Sequence, residues 1–522
     1  MPLLLLLGLV LLVGVRLHVL DDDFPNPDIA GIVYNAELVL DGGRPYLETA
    51  EIKPPGAFLM AAASIAVLGR SLVALQLLHA LWLAVGGLGV WWAARAVHDD
   101  EGDPRLGPRC AALGVVVYLV SAAMFSYNYS SWMTPAYALA TGAALRGLRR
   151  DRARDQLLAG AMALLAFVTI QRAAVLALLL PTLWLWARRR GLMGARPRVL
   201  GLWLVGALLA VLPLLAWYAG VGEGGTLLRA LLPLGVGMDY TASSDGSGLA
   251  TLLAALAQLG RVFWFPVGLV LLAALATALE RERARELGAW RPGLAWLAVS
   301  ILGAGLGGGR FYLHYLVQYA PALGLLAASP AIVRAVTKAT ASPPAEDRGR
   351  ARVVVGLLVL LSIAQLVEIG LGRGHRYEAQ ARRLVGGLTA SQAAGAHIRE
   401  RTAPGDTVQA WGWTAWRIYY WSERRAPGRI YKPLGSVTTF NTNTAFDAGS
   451  GVRFRPGPLA DEMVAAFDRA PPAYLVYSPS MVDAFGARPE PLEEFTELRR
   501  RIEAGYVLEA QYGDLRLLRR RR

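Results

Sequence analysis

The sequence predicts a polytopic α-helical membrane protein of about eleven spans with a small C-terminal α/β domain, and three observations carry that prediction. Of its 522 residues, 55% are hydrophobic and only 18% charged, with a mean hydropathy of +0.38; a soluble domain is nearer one-quarter charged. The apolar residues fall in blocks close to twenty long, the length of helix that crosses a bilayer core. After residue 375 the blocks cease and charge rises, which divides the chain into a membrane unit, 1–375, and a second unit, 376–522, of ordinary domain size.

The runs suited to spans are 2–20, 71–97, 107–125, 131–148, 155–170, 172–187, 199–219, 251–279, 292–308, 312–333 and 353–372. The loops 145–154, 187–198, 280–291 and 334–352 are rich in Arg, whereas 126–130, 220–248 and 309–311 hold few basic residues. The positive-inside rule puts the first set in the cytoplasm and the second outside. Eleven spans alternate correctly through these loops if 54–69, a short Ala-rich run opened by Pro54 and Pro55, is left out. That run then lies on the outer surface, within a long first external loop, 21–70; read instead as a short tilted span, it would invert the Arg-rich loops. The N-terminal run has no basic start and no small-x-small site before Asp21, so it reads as a retained span rather than a cleaved signal.

The net charge of +14 is therefore spent on orientation in the membrane, and nucleic acid is not implied. The single cysteine, Cys110, excludes an intrachain disulfide and a Cys-based metal cluster. No internal repeat, Walker motif, HExxH or GxSxG is present.

The first external loop is the most informative stretch. Residues 29–41 set Ile29, Ile32, Val33, Ala36 and Leu40 near one helical face, the pattern of an interfacial amphipathic helix. Asp28, after Asn26-Pro27, is placed either to cap that helix or to do chemistry, and Gly42-Gly43 ends it. The other acids of the loop, Asp21, Asp22, Asp23, Glu37, Asp41, Glu48 and Glu51, read as solvated.

Further external features are the aromatic, acid-free SYNYSS at 126–131 and Gln171-Arg172 at a boundary between two apolar runs. An Arg there either snorkels to headgroups or holds a phosphate. Arg310, Tyr312, His314, Tyr315 and Gln318 cluster at the start of a span, which is costly in lipid unless they face a cavity. An aromatic interface belt accounts for the two tyrosines but less well for Arg310 with His314. The loop 220–248 has the length of a flap or gate.

In the C-terminal unit a helix is expected within 376–401 and another at 459–469, with buried strands at 408–413 and 473–478 and a hairpin around Tyr512-Gly513-Asp514. It has neither a Gly-rich phosphate loop nor a nucleophile motif, and no catalysis is assigned to it.

Taken together, Asn26-Pro27-Asp28, Gly42-Gly43, Pro45-Tyr46, Lys53-Pro54-Pro55-Gly56 and Leu68-Gly69 resemble the first external loop of the family 39 membrane glycosyltransferases. These belong to the GT-C class, with the protein O-mannosyltransferases and the aminoarabinose transferases. The segments 159–172, ending in Arg172, and 308–328, and the C-terminal domain with its WGW, are similar to bacterial members. The resemblance implies a GT-C-like fold and an inverting hexosyl or pentosyl transfer from a polyprenyl-phosphate sugar to a lipid, glycan or protein acceptor at the outer face of the cytoplasmic membrane. It implies Asp28 as the general base.

The chemistry is reasonable, since a glycosyl phosphate already carries a good leaving group. What remains is one base for the acceptor and cations for the departing phosphate. Arg310, Lys53, His314 and Arg172 are the phosphate candidates, and Tyr34, Tyr46, Tyr127, Asn128, Tyr312, Tyr315 and Gln318 the expected substrate lining. Many family members carry a second acid in the next external loop, but SYNYSSWMTP has none, so no metal site is assigned and the cofactor stays open. Two other classes compete: a lipid-linked-sugar transporter, which would favour acids or broken helices at mid-span, and a non-catalytic envelope scaffold.

Overall fold

A computed structural model describes residue 24 and residues 27–99, 103–123, 127–232, 259–279, 283–306, 313–340, 352–365, 388–412, 414–433, 436–438, 454–478 and 494–521, with a few further positions between 253 and 368. The first expected span and the acids Asp21, Asp22 and Asp23 lie outside the described residues, as do Arg310, Tyr312 and most of 220–248.

The described helices are α1 (Pro27–Leu40), α2 (Gly56–Leu68), α3 (Leu72–His98), α4 (Leu106–Ala123), α5 (Tyr129–Arg150), α6 (Ala153–Thr169), α7 (Leu176–Arg189) and α8 (Arg198–Ala219). They continue as α9 (Gly224–Leu231), α10 (Trp264–Leu279), α11 (Arg283–Gly305), α12 (Ala320–Ala327), α13 (Pro330–Thr340) and α14 (Arg352–Gln365). Short 3-10 turns, Gln171–Val175 and Leu313–Tyr319, lead into α7 and α12.

The chain is a polytopic helical membrane protein, but its helices are less uniform than eleven continuous runs suggest. Among the described residues α3, α4 and α8 are each long and apolar enough to cross a membrane. A fourth crossing needs the bent pair His314–Ala327 and Pro330–Lys338, turned by 53° at its break. The expected span 312–333 is thus broken, because Pro330 cannot continue the ladder of α12. The run 172–187 likewise starts as a 3-10 turn rather than as helix.

α5 is the hub of the bundle: it packs against α3, α6 and α7, and nearly all its residues are buried. Its start is fixed by a capping box, in which Asn128 Oδ1 accepts the amides of Ser130 (2.8 Å) and Ser131 (3.1 Å) while Ser131 Oγ accepts the Asn128 amide (2.9 Å). α6 and α8 approach through glycine: a methyl at Gly160 would overlap the Trp203 carbonyl, and one at Gly206 the Leu157 carbonyl. Small residues at such crossings let helix backbones touch where lipid offers no hydrophobic drive.

The 13 residues of α2 make about 20 Å of helix at 1.5 Å per residue, short of a bilayer core of about 30 Å. Its first residue, Gly56, abuts the end of α6 at Val168 and Thr169. Just past its last residue, Arg70 donates to the Tyr420 carbonyl (2.6 Å). Both ends of α2 therefore stay at one end of the bundle, the end that carries the C-terminal domain. The Arg-rich turns 145–154 and 187–198 lie at the other end, where Arg95 binds Asp99 and Arg198 binds Asp151 (2.9 Å).

The C-terminal unit is a four-stranded sheet of β1 (Val408–Trp411), β2 (Tyr474–Tyr477), β3 (Tyr506–Tyr512) and β4 (Leu515–Arg520), in the order β1-β2-β4-β3. β1 and β2 pair in parallel, and the others antiparallel. The helices Ala390–Arg401 and Pro458–Arg469 occur where the sequence indicates them, and Thr496–Gly505 is a further helix leading into the hairpin. β1 and β2 are buried along their whole length, as their apolar composition requires.

Candidate active site

The site is built where the turn between α1 and α2 is clamped by residues 420–432. Ala50 N donates to the Arg429 carbonyl (2.9 Å), and Arg429 donates back to the Tyr46 carbonyl (3.2 Å). Arg425 binds the Tyr34 carbonyl (2.9 Å) and the Asp41 carboxylate (2.6 Å). Tyr46 holds a left-handed backbone, φ 72°, and its hydroxyl donates to the Lys53 carbonyl (2.7 Å). A non-glycine residue in that region is strained, and here both its side chain and its carbonyl pin the loop that carries Lys53.

Asp28 lies in the first turn of α1, one residue after Pro27. It is therefore not the residue before the helix: proline takes the first helical position, where its missing N–H costs nothing. Burial holds the Asp28 carboxyl above the ordinary aspartate value; Lys53 and Lys432 pull it back, and Glu51 pushes it further up.

Glu51 corrects the expectation that the remaining loop acids are solvated. It is buried at 7% exposure and forms an ion pair with Lys432, which lies 381 residues away in the C-terminal domain. Its Oε2 also accepts the Tyr431 hydroxyl (2.6 Å), while Oε1 accepts the amides of Ile52 (2.8 Å) and Lys53 (3.1 Å). Burial alone would raise the Glu51 pKa, but Lys432 and these donors outweigh it and hold the acid below its usual range. Asn35 completes the network, donating to the Tyr431 hydroxyl (3.1 Å) and accepting from Thr49 (2.7 Å). The C-terminal domain, to which sequence reading assigned no catalysis, thus delivers Lys432 and Tyr431 into the site. Glu37, Asp41 and Glu48 instead serve Arg70, Arg425 and the Arg44 amide.

The cations meet the same point from the bundle. Gln171 donates to the Ile52 carbonyl (3.0 Å), so the turn before α7 touches the Lys53 loop. Arg172, beside it, is buried, bonds to Ser130 and lays its guanidinium 3.7 Å over the Tyr315 ring. The His314 ring stands edge-on to Tyr315 (4.7 Å), with Arg172 and Lys53 both in electrostatic reach. Lys53 Nζ lies 5.8 Å over the Tyr129 ring.

The structure therefore brings together Asp28, Lys53, Arg172, His314 and Tyr315. It uses other expected lining residues for assembly. Tyr34 stacks on Tyr431 (4.4 Å between ring centres) and its hydroxyl accepts the Ala426 amide (3.1 Å). Tyr127 packs among His79 and Trp132. Asn128 is the cap of α5, and Gln318 donates to the Ser300 carbonyl (2.5 Å) inside the bundle. Arg310 and Tyr312 lie outside the described residues. Among the described residues no group of three or more His, Cys, Asp or Glu is arranged to hold a metal ion.

Comparison with solved structures decides the fold. Over 98% of this chain and 97% of the other, the structure matches ArnT from Cupriavidus metallidurans bound to undecaprenyl phosphate, with a TM-score of 0.64 at 15% identity. The chain has a GT-C glycosyltransferase fold. The apo form of that GT-C protein matches over the same shares with a TM-score of 0.60 at 16% identity. The archaeal oligosaccharyltransferase AglB from Archaeoglobus fulgidus, in complex with an inhibitory peptide and a dolichol-phosphate, matches with a TM-score of 0.50 at 14% identity, over 91% of this chain and 69% of that one. In sequence, residues 52–217 of this GT-C chain match the dolichyl-phosphate-mannose-protein mannosyltransferase family, from the end of the Lys53 loop through α8. The resemblance read from the motifs is borne out by both comparisons. No curated protein gives a significant sequence match.

Proposed function

We propose that the protein transfers a sugar from a polyprenyl-phosphate donor to an acceptor hydroxyl or amine, with inversion, Asp28 acting as general base. The observation that carries this reading is that two neighbouring buried carboxylates, Asp28 and Glu51, are shifted in opposite directions by their surroundings. Glu51, with Lys432, Tyr431 and two backbone amides around it, is held below its usual carboxylate range. Asp28 is pushed up by burial toward the working range of a base. Environments that drive two acids apart mark out their roles.

In the proposed step the acceptor proton passes to the Asp28 carboxylate as the acceptor oxygen bonds to the anomeric carbon. The bond from that carbon to the phosphate oxygen breaks, and the phosphate leaves with the electron pair. A single displacement of this kind inverts the anomeric centre. Lys53 and Arg172 are the cations that stand where the departing phosphate gathers charge, with the His314 ring beside them, and Arg310 belongs to the same proposed set. Preorganised cations in a water-poor site are worth most at that moment.

The orientation proposed is the C-terminal domain and the Lys53 loop outside the cytoplasmic membrane and the Arg-rich turns inside. Their location at opposite ends of the bundle supports it. The relatives named above carry undecaprenyl or dolichyl phosphate, which supports a polyprenyl carrier without fixing the sugar. The test is transfer from polyprenyl-phosphate donors labelled in the sugar, a hexose and a pentose in turn, by the purified protein with envelope extract as acceptor. Label in a stable product, with release of polyprenyl phosphate, supports the reading; binding of every donor without turnover of any contradicts it.

A further inference from the structure

At the far end of the bundle from Asp28 lies a cavity of about 250 Å³, whose lining includes Trp91, Trp92, Asp99 and the arginines Arg95, Arg146, Arg149 and Arg150. Two helices fix its depth. α3 starts beside Arg70, which bonds to the C-terminal domain, and ends after 27 residues at the cavity. α5 starts at Tyr129, beside Lys53, and ends after 22 residues at Arg149 and Arg150. At 1.5 Å per residue these helices run about 33 to 40 Å, one bilayer core and a little more. The cavity therefore opens at the opposite membrane interface.

Its lining is a cation set with a partly fixed geometry. Arg146 makes a two-point bond to the buried Asp155 (2.9 and 2.7 Å), and its guanidinium lies 3.6 Å over the Trp92 ring. Arg95 Nε bonds to Asp99 at 2.5 Å. Arg150 is held only loosely, 3.7 Å from the same Asp99, and its side chain is 41% exposed. Four arginines thus face two carboxylates, and Arg190 adds its field at Arg149. Helix C-termini tolerate such cations well, which explains arginine at these positions. It does not explain why two tryptophans, Trp91 and Trp92, line the same cavity.

We propose that this cavity binds the phosphate of an anionic membrane lipid headgroup, with Arg149 and Arg150 donating to the phosphate and Trp91 and Trp92 at the glycerol level. Guanidinium forks match phosphate oxygens, tryptophan favours the headgroup layer, and basic pockets between membrane helices take anionic headgroups. The volume is below that of pockets for drug-sized ligands, which suits a headgroup. The inference does not depend on what the Asp28 site does.

The experiment is native mass spectrometry of the full-length protein, equilibrated with equal amounts of phosphatidylglycerol and phosphatidylcholine, for wild type and for Arg149→Gln/Arg150→Gln. The wild type is expected to retain phosphatidylglycerol at least tenfold over phosphatidylcholine, and the double variant to lose that preference. Equal retention of the two lipids by the wild type overturns the proposal without recourse to any variant. So does an unchanged preference in the double variant. A third arm adds inorganic phosphate: displacement of the lipid only at concentrations far above that of the lipid supports a headgroup site. Displacement at matched concentration assigns the cavity to a free anion and overturns the lipid.

Discussion

Replacing Lys432 by Met isolates the pairing that joins the C-terminal domain to the Lys53 loop. Glu51 is fully buried at its side chain, and Lys432 is 10% exposed, so neither charge is well solvated once its partner is gone. Removing one member of such a pair costs about 3–5 kcal/mol, comparable with the roughly 4 kcal/mol attraction of unit charges 4 Å apart at an effective dielectric near 20. The variant also reverses the pH slope. In the wild type the Glu51 pKa is lowered from 4.5, so its stabilisation is complete above that value and is lost as pH falls through the folded pKa. Without Lys432, burial dominates and raises the pKa; the contribution is then present below 4.5 and lost as pH rises through the folded value. Denaturant unfolding of detergent-solubilised protein at pH 5 and pH 8 reads both effects. Lys432→Met should be less stable at pH 8 than at pH 5, and Glu51→Gln/Lys432→Met should recover a large part of the loss. A double variant no more stable than Lys432→Met, with the wild-type pH slope kept in the single variant, refutes the reasoning.

Three further outcomes follow from the geometry. The acid limb of kcat/KM for sugar transfer should lie above the ordinary aspartate value of 3.8, and Lys53→Met should move it higher still, because Lys53 lowers the Asp28 pKa; a pH-rate profile measures both. Arg172→Gln should weaken donor binding by about 10- to 100-fold, the worth of a charge-assisted hydrogen bond of about 1.5–3 kcal/mol, as read by titration with polyprenyl phosphate. Gly160→Val should destabilise the bundle by at least about 1–3 kcal/mol, since the new side chain meets the Trp203 backbone and not a side chain able to turn away; thermal unfolding shows this as a lowered midpoint.

How far these features were legible in the sequence depends on the range of the interaction. The reading of α2 as a surface helix rests on charge counts in loops far from it, because alternation across the membrane is a global constraint; its 13 residues fit that reading by their length. Asp28 and Lys53 were legible through local motifs around Pro27 and Pro54-Pro55. Glu51 was not, although it sits two residues from Lys53, because an acid in a polar loop looks solvated until its partner is known. That partner, Lys432, is 381 residues away, and the short IYKP segment around it carries no signal of its own. Tyr34 and Asn128 were read as substrate-facing from residue type alone. Their hydrogen bonds to Ala426 and to the amides of α5 show that polar groups in a membrane protein are first claimed by assembly.

The central claim is that Asp28 takes the acceptor proton. It is tested most directly by a single-turnover assay of Asp28→Asn, with donor binding measured on the same preparation. The account predicts transfer slowed by at least about 10²-fold, the lower end of what a positioned general base contributes, with polyprenyl-phosphate-sugar bound as tightly as by the wild type. Wild-type transfer by Asp28→Asn would contradict it.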